Sequence, residues 1–361
     1  MDKLRKWQYL TLMCRWDRCL IPVYRASAGS RYVPLLKTLL SSICRNECKY
    51  CELRRGAKRP RISWEPEELA HVAMNLWRNG RIRGVFLSSS VDRDPDHATY
   101  LVVETARILR EEGFSGYIHL RLMPGCSRYL IEEAARLADR IGLNLEAPSE
   151  DIFDEICPDK GSYKEDILKR LEWCLYAWKN LSRRRGDIGF CRAGVDTQLI
   201  VGAVDDTDLD YIETTYLLLR HYGLRRVYFS AFRPIKGTPL EHRPPCPTSR
   251  ERRLYEASFL IRDYGFSLDE LRSLLCGEML PNMNLKVAYA RANPDLYPID
   301  INQASYWELI RVPGIGPRTA RKIMKLRSRG SIRRRDLIEL LGPRRFRLAR
   351  RYIAYTDFKY F

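Results

Sequence analysis

Three cysteines, Cys44, Cys48 and Cys51, have the residue type and the spacing of a metal-binding group. Their Cys-x3-Cys-x2-Cys run puts three thiolates within eight residues, close enough to hold one metal centre. The run leaves a four-iron cluster one protein ligand short, and an iron without a protein ligand offers an open site for chemistry. The alternative is a structural zinc site with a distant fourth ligand, such as His71 or Cys19.

The cysteines outside the run do not have tight ligand spacing. The chain has eleven cysteines, an odd number that argues against a framework of disulfides. Most of the other eight are expected to be small buried residues, although Cys14 and Cys19 are candidates for a second metal site. The charged N-terminus lacks the apolar segment of a secretory signal, and no run of about 18 apolar residues predicts a membrane span. We therefore expect a cytoplasmic protein with no membrane partner.

The charge of the chain favours a polyanionic partner. The 361 residues carry a formal net charge of +18, and Lys and Arg that neutralise phosphates gain affinity by releasing counterions. Residues 311–361 hold 16 Lys and Arg against three acidic residues, a net charge of +13. A generally basic surface would not concentrate its charge in this way, so the C-terminal segment is the expected binding region.

Short apolar segments alternate with helical patterns from residue 36 onward. Strands are predicted over residues 36–42, 84–89, 117–122, 143–147, 197–203 and 226–231. Helices are predicted from Pro66 to Gly80 and over residues 97–112, 127–141, 163–181, 208–222 and 248–264. This alternation predicts an α/β fold with a parallel sheet, either open or curled into a full or partial barrel. The cysteine run follows the first strand, which places it at the edge where active sites of such sheets gather.

The basic C-terminal segment has the pattern of a helical hairpin. Asn302 is placed to cap a helix that runs to residue 310, and Pro317 is placed to begin the next helix. Between these helices, Gly314 and Gly316 permit a tight turn whose backbone N–H groups can hold a phosphate. A looser copy follows at 336–341, 342–343 and 344–352, without the second glycine. An ordinary αα-hairpin is the alternative for the first copy.

The cysteine run, placed after the first strand of a (βα)6 pattern, resembles the radical S-adenosylmethionine superfamily. This resemblance implies a partial (βα)6 barrel in which Cys44, Cys48 and Cys51 hold a 4Fe–4S cluster. S-adenosylmethionine then occupies the open iron, and one electron cleaves it to a 5′-deoxyadenosyl radical. A flavodoxin or ferredoxin is the implied kind of electron donor.

The same resemblance implies a set of residues around the cofactor. Alternatives stay open for some of them: a tight turn for the three serines, an ion pair for Arg121 and a strand bulge for Gly202. Cys126 is a candidate for returning a hydrogen atom. The implied S-adenosylmethionine contacts are Tyr50, Ser88, Ser89, Ser90, Arg121, Asn144, Glu146, Ser149 and Gly202.

The glycine hairpin resembles the helix-hairpin-helix motif of DNA-binding proteins, which contacts the sugar–phosphate backbone without reading bases. Residues 53–61 form a second basic segment beside the proposed active site, and a solvated loop or a contact to a phosphate-bearing substrate would explain it. The candidate nucleic-acid contacts are Gly314, Ile315, Gly316, Arg318, Thr319, Arg321, Lys322, Arg54 and Arg55.

The combination of the two modules resembles a family described as DNA modification or repair radical proteins. It predicts an N-terminal extension at 1–34, a radical core at 35–240, a linker with an accessory helix at 241–298 and a helix-hairpin-helix domain at 299–361. The leading hypothesis is a radical enzyme that modifies or repairs nucleic acid, with DNA favoured over tRNA. A base inside a duplex cannot reach such a site, which implies base flipping or a single-stranded substrate. A tRNA-modifying enzyme and a non-enzymatic DNA-binding iron–sulfur protein are the alternatives.

Overall fold

A computed structural model describes residues 3–12, 23–28, 31–181 and 189–355 of the chain. The chain divides into two compact units. The first unit comprises Met1–Asp206 and His221–Pro247, and the second comprises Thr207–Arg220 and Thr248–Phe361. Cys14 and Cys19, the candidates for a second metal site, lie outside the described residues.

The first unit is built on a seven-stranded sheet whose strands follow one another in chain order. The edge strand β1 pairs antiparallel with β2, and every later pair is parallel. The sheet is curled and open, since β1 and β7 are not neighbours. The predicted α/β class and partial barrel are therefore confirmed. The strands are β1 Val23–Ala28, β2 Arg31–Leu39, β3 Gly84–Ser88, β4 Tyr117–Leu122, β5 Arg140–Leu143, β6 Gly194–Val201 and β7 Arg226–Ala231.

Helices connect the parallel strands, and capping residues fix where several of them begin. Asp94 caps the helix after β3 by accepting from His97 N at 2.8 Å, and Pro95 fills the first helical position. No helix in the described part of the chain is long and apolar enough to cross a membrane. The helices of this unit are α1 Lys3–Leu12, α2 Pro66–Arg78, α3 Pro95–Glu111, α4 Arg128–Leu137, α5 Glu150–Ile156 and α6 Lys169–Leu181, the last preceded by a π-helical turn at Tyr163–Leu168.

One strand prediction is wrong in its position. The strand predicted over 143–147 lies earlier, at Arg140–Leu143, in a segment assigned by pattern to the preceding helix. The chain leaves α4 at Ala138 without a glycine or proline to mark the turn. Asp139 replaces that signal, because its carboxylate accepts from Ile118 N at 2.9 Å and so ties the turn to β4. Glu146 has a positive φ of 66°, which ends regular strand geometry before residue 147.

The second unit is mainly helical and ends in two hairpins. The parallel strands β8 and β9 close its C-terminal part. Side chains of this part, among them Ile310, Ile315 and Leu337, pack into one apolar core. The elements are α7 Asp208–Tyr216, α8 Thr248–Tyr264, α9 Leu268–Arg272, α10 Leu285–Ala292, β8 Ile299–Asp300, α11 Tyr306–Arg311, α12 Pro317–Arg327, α13 Arg334–Ala349 and β9 Ile353–Ala354.

Both helical hairpins lie where the sequence pattern predicts them, and only the capping residue of α11 differs from the prediction. Ser305, not Asn302, caps α11, because its hydroxyl accepts from Glu308 N at 3.2 Å. Asn302 instead exchanges hydrogen bonds with the backbone of Ile332, 30 residues away. The predicted break in the second copy is confirmed, since Gly342 has a φ of 72° and bends α13.

Candidate active site and hairpin

The loop that carries the three cysteines follows β2 and is fixed by backbone hydrogen bonds on both of its sides. Arg45 N donates to Val91 O and Lys49 N donates to Ile156 O, each at 2.8 Å. These bonds tie the loop to the segment after β3 and to the end of α5. The cysteines are therefore held at the C-terminal edge of the parallel strands, where the ends of several strands meet.

All three cysteine side chains are free thiols that line one cavity. Burial raises the pKa of Cys44, and it raises the pKa of Cys51 to about 12. A hydrogen bond with Cys157 lowers the pKa of Cys48. Because buried thiols lose their protons only when a cation compensates, Cys44 and Cys51 need a bound metal centre to become thiolates.

The arrangement does not favour the zinc alternative. Among the described residues, no three His, Cys, Asp or Glu side chains converge on a position for a single metal ion. His71, proposed as a distant ligand, is exposed on α2, and its Nε2 lies 2.9 Å from Nδ2 of Asn75 on the same helix. His71 is therefore not among the residues that line the cavity with the three cysteines, and Cys19, the other proposed zinc ligand, lies outside the described residues.

The cavity has a volume of about 270 Å³ and is formed by strand ends and the loops that follow them. Several of its polar lining residues carry no signal in the sequence, because a lone lysine, arginine or glutamine belongs to no motif. These are Lys37, Lys160, Gln198 and Arg233. The predicted residues that line it are Cys44, Cys48, Tyr50, Cys51, Ser88, Ser89, Ser90, Arg121, Asn144 and Glu146.

Two acceptor atoms in the cavity have no donor within the described residues: Asn144 Oδ1 and Glu146 Oε2, both buried. The other carboxylate oxygen of Glu146 accepts from Lys160 Nζ at 2.5 Å. Glu146 also has the left-handed backbone noted above, a strained geometry that is common at ligand sites. Since buried acceptors are normally satisfied, a ligand with amino and hydroxyl donors fits this wall. S-adenosylmethionine carries both kinds of donor.

A buried charge cluster lies beside the cavity on β4, β5 and β6. Asp196 is fully buried, and its Oδ1 lies 2.6 Å from Arg121 Nη1, while Oδ2 lies 3.7 Å from Arg140 Nη1. Although burial alone would raise it, these cations hold the pKa of Asp196 well below its usual range. His119 Nε2 lies 3.0 Å from Oδ2 without hydrogen-bond alignment, and burial lowers the pKa of His119 to about 4. Only glycine fits at Gly142, because a Cβ would clash with this ion pair.

Arg121 therefore has two environments, since it lines the cavity and also pairs with Asp196. The structure does not bring three other predicted residues into the cavity lining. Ser149 caps α5 by accepting from Ile152 N, and Gly202 N donates to Asp206 Oδ2 at 2.8 Å. Cys126 is fully buried, and burial raises its pKa to about 12.

The basic loop after the cysteines is partly occupied by internal contacts. Arg54 pairs with Glu47, and Arg55 Nε lies 3.0 Å from Glu47 Oε1 while most of the Arg55 side chain is exposed. Arg61 donates to the carbonyl groups of Ser42 and Leu53, each at 2.8 Å, and so holds the loop in place. Arg55 is the better placed of the two predicted arginines for contact with a substrate.

The first hairpin has the geometry that its glycines predict. Gly314 has a φ of 87°, a conformation that favours glycine, and Gly316 occupies the N-cap position of α12. Ile315 between them is buried in the core of this unit. The hairpin thus places two half-buried glycines, Gly314 and Gly316, at the N-terminus of a helix, where N–H groups and the helix dipole favour an anion.

The flank of the hairpin is basic along one side of α12. Arg318, Arg321 and Lys322 are exposed, and none forms an ion pair with another residue in the described ranges. Thr319 lies on the opposite side of the helix and is buried. The three cations are therefore available for a polyanion, whereas Thr319 and Ile315 contribute to the packing of the module.

Comparison with protein-family models identifies both modules. Residues 38–182 match the radical SAM superfamily, and residues 297–353 match a helix-hairpin-helix motif. The chain therefore contains a radical SAM domain that includes Cys44, Cys48 and Cys51, and an HHH motif that includes Gly314 and Gly316. Members of this superfamily use a 4Fe–4S cluster and S-adenosylmethionine as cofactors.

Solved structures with similar folds have low sequence identity to this chain. The FeFe-hydrogenase maturase HydG from Carboxydothermus hydrogenoformans has 18% identity and a TM-score of 0.49, over 63% of this chain and 51% of its own. Methylornithine synthase (PylB) has 17% identity and a TM-score of 0.49, over 73% of this chain and 71% of its own. The chain thus spans about half the length of the maturase. No curated protein matches the chain.

Proposed function

We propose that the protein is a radical SAM enzyme that modifies or repairs nucleic acid, with DNA favoured over tRNA. The observation that carries the proposal is the presence, in one chain, of a thiol-lined cavity with unsatisfied acceptors and a hairpin with an exposed basic flank. The resemblance to DNA modification or repair radical proteins supports the choice of DNA. Helix-hairpin-helix modules favour duplex DNA as well.

The cavity residues have separate roles in this proposal. Cys44, Cys48 and Cys51 hold the cluster, and when bound the cluster and S-adenosylmethionine supply an adenosyl radical that removes hydrogen from a substrate carbon. Glu146 and Asn144 accept hydrogen bonds from the cofactor through their free oxygen atoms. The curled sheet and its loops surround the reacting atoms and exclude water from them.

The hairpin binds the backbone of the substrate. The N–H groups of Gly314 and Gly316 and the cations Arg318, Arg321 and Lys322 contact phosphates without reading sequence. A base stacked within a duplex cannot enter a cavity of this size, so the target nucleotide is flipped or single-stranded.

Cleavage of S-adenosylmethionine tests the enzymatic half of the proposal. Anaerobically reconstituted and reduced protein should release 5′-deoxyadenosine. Cys48→Ala should lose both bound iron and this product, whereas Cys174→Ala, at a buried cysteine on α6 outside the cavity, should retain both. Bound iron without product would favour a non-enzymatic iron–sulfur protein. Product formation unaffected by Cys48→Ala would reject the ligand assignment.

Competition between polymers tests the other half. Duplex DNA, single-stranded DNA and tRNA should each bind with an affinity that falls with salt, and DNA should compete best. Each phosphate contact contributes a slope of roughly 0.9 in log K against log salt concentration. Arg321→Ala should reduce that slope by about this amount, and Arg81→Ala, an exposed arginine of the first unit, should not change it. A clear preference for tRNA would favour the tRNA-modifying alternative, and no binding at all would reject a nucleic-acid substrate.

A further inference from the structure

A groove of about 1090 Å³ lies beside the hairpin within the second unit. Its walls come from α8, α10, α11 and α12. Trp307 on α11 lines the groove and is 60% exposed, whereas Lys286 on α10 lines it and is only 8% exposed. Neither residue is part of the motif that predicts backbone binding.

Lys286 is a buried cation without a counter-ion among the described residues. Its Nζ donates to Ile315 O in the hairpin at 2.5 Å and lies 4.9 Å from the ring centre of Tyr264. An ammonium group has three N–H donors, so two remain for a ligand. Burial and, as a smaller contribution, the positive charge of Arg311 lower the pKa of Lys286 to about 7. An anion in the groove would stabilise this charge.

The other charges of the groove leave a positive balance. The carboxylates of Glu256 and Asp263 are each already paired with an arginine, at 2.7 and 2.8 Å. Arg318 and Arg321 also line the groove, and no ion pair joins them to another described residue. A ligand that matches this groove therefore carries negative charge close to Lys286.

Trp307 provides an aromatic surface next to these cations. Its ring is fixed against the backbone of Gly265, where an added Cβ would lie 3.0 Å from Cζ3. Tyr306 packs edge-on to it at 5.2 Å. An exposed, immobilised indole beside arginines is the arrangement on which proteins stack single-stranded bases.

We propose that the groove binds one unpaired nucleotide, with its phosphate on Lys286 and its base stacked on Trp307. This inference rests on the proposed function, because the hairpin brings the strand to the groove. The proposed substrate is thereby narrowed from nucleic acid in general to a duplex that continues into a single strand or that has a displaced base. Away from its ends, a fully paired duplex cannot supply the stacking, because both faces of its bases are covered by neighbouring base pairs.

Binding of matched DNA molecules tests the inference. Fluorescence anisotropy would compare a blunt duplex with the same duplex carrying a short single-stranded overhang, and wild-type protein should prefer the overhang. Trp307→Ala should weaken overhang binding about tenfold and abolish that preference, and Trp307→Phe should restore part of it. Lys286→Met should weaken overhang binding more than Lys325→Met, which removes an exposed lysine of α12 outside the groove.

The outcomes separate this inference from the function on which it rests. Equal wild-type affinity for the two duplexes, or a preference that survives Trp307→Ala, would overturn the inference and leave backbone binding by the hairpin intact. Failure of wild-type protein to bind any DNA would overturn both. Thermal unfolding of each variant controls for loss of structure.

Discussion

Gly314 and Gly342 form a matched pair for testing whether the first hairpin binds nucleic acid. Both have a positive φ, 87° at Gly314 and 72° at Gly342, and both lie at the turn of a helical hairpin. They differ in their surroundings. A Cβ on Gly314 would lie 2.7 Å from the carbonyl oxygen of Arg345 and 3.6 Å from Ala349 Cβ, whereas a Cβ on Gly342 would have no atom within 4 Å.

These surroundings set the expected magnitudes. An L-residue with the positive φ of Gly314 costs about 1–2 kcal/mol. Gly342, with φ 72° and ψ 161°, lies in a backbone region essentially restricted to glycine, so Gly342→Ala should cost about 1–3 kcal/mol. Gly314→Ala adds a clash with backbone that cannot rotate away, and overpacking of this kind costs about 1–3 kcal/mol more. Gly314→Ala should therefore destabilise the second unit by roughly 2–5 kcal/mol and displace the N–H groups of the hairpin.

Hydrogen exchange and DNA binding together provide the assay. Exchange of peptides that cover α11 and α12 reports the local free energy of opening, and anisotropy with a blunt duplex reports affinity. Gly314→Ala should speed exchange and weaken binding at least tenfold, while Gly342→Ala should leave affinity within about twofold. Equal effects of the two substitutions on exchange would refute the steric argument. Equal losses of affinity would refute the assignment of phosphate binding to the first hairpin.

Three further results are expected. Glu146→Gln should weaken S-adenosylmethionine binding roughly tenfold in equilibrium dialysis with unchanged iron content, since it removes a charged acceptor that is also paired with Lys160. Asp196→Asn should lower the free energy of unfolding by about 3–5 kcal/mol in urea titrations, because Arg121 loses its counter-ion. The pKa of His119 is about 4 in the folded state and about 6.5 in the unfolded state, so the unfolded state takes up a proton first as the pH falls. The free energy of unfolding should therefore fall by about 3 kcal/mol between pH 6.5 and pH 4. His119→Gln should remove this part of the pH dependence.

The strands whose two ends are marked in the sequence were predicted with the correct bounds. The strands at Tyr117–Leu122 and Arg226–Ala231 are apolar runs with clear ends, and their predicted bounds are those observed. The strand at Arg140–Leu143 was misplaced because a side chain, Asp139, makes the turn that glycine or proline usually marks. The antiparallel strand Val23–Ala28 was not predicted, since that region carries no motif.

Long-range pairings limited the prediction of the site. The cysteines were identifiable because their ligand role requires short spacing in the sequence. The Arg121–Asp196 pair joins residues 75 positions apart, so no local pattern relates the two. A charged residue at alternate positions of a buried strand was the available signal, and it marked Arg121 without naming its partner. Lys286 carries no such signal, because its contact with Ile315 depends on how the helices of the second unit pack.

The unsatisfied groups of the cavity and of the groove differ in kind, and this difference assigns their ligands. In the cavity the free atoms are acceptors, Asn144 Oδ1 and Glu146 Oε2, which require a ligand rich in N–H and O–H donors. In the groove the free atoms are donors on Lys286, which require an anion. Glu146 would attract the amino group of S-adenosylmethionine, whereas Lys286 would repel this cationic cofactor and attract a phosphate. Charge therefore favours S-adenosylmethionine in the cavity and a phosphate in the groove. Glu146→Gln should weaken S-adenosylmethionine binding without changing overhang binding, and Lys286→Met should do the reverse.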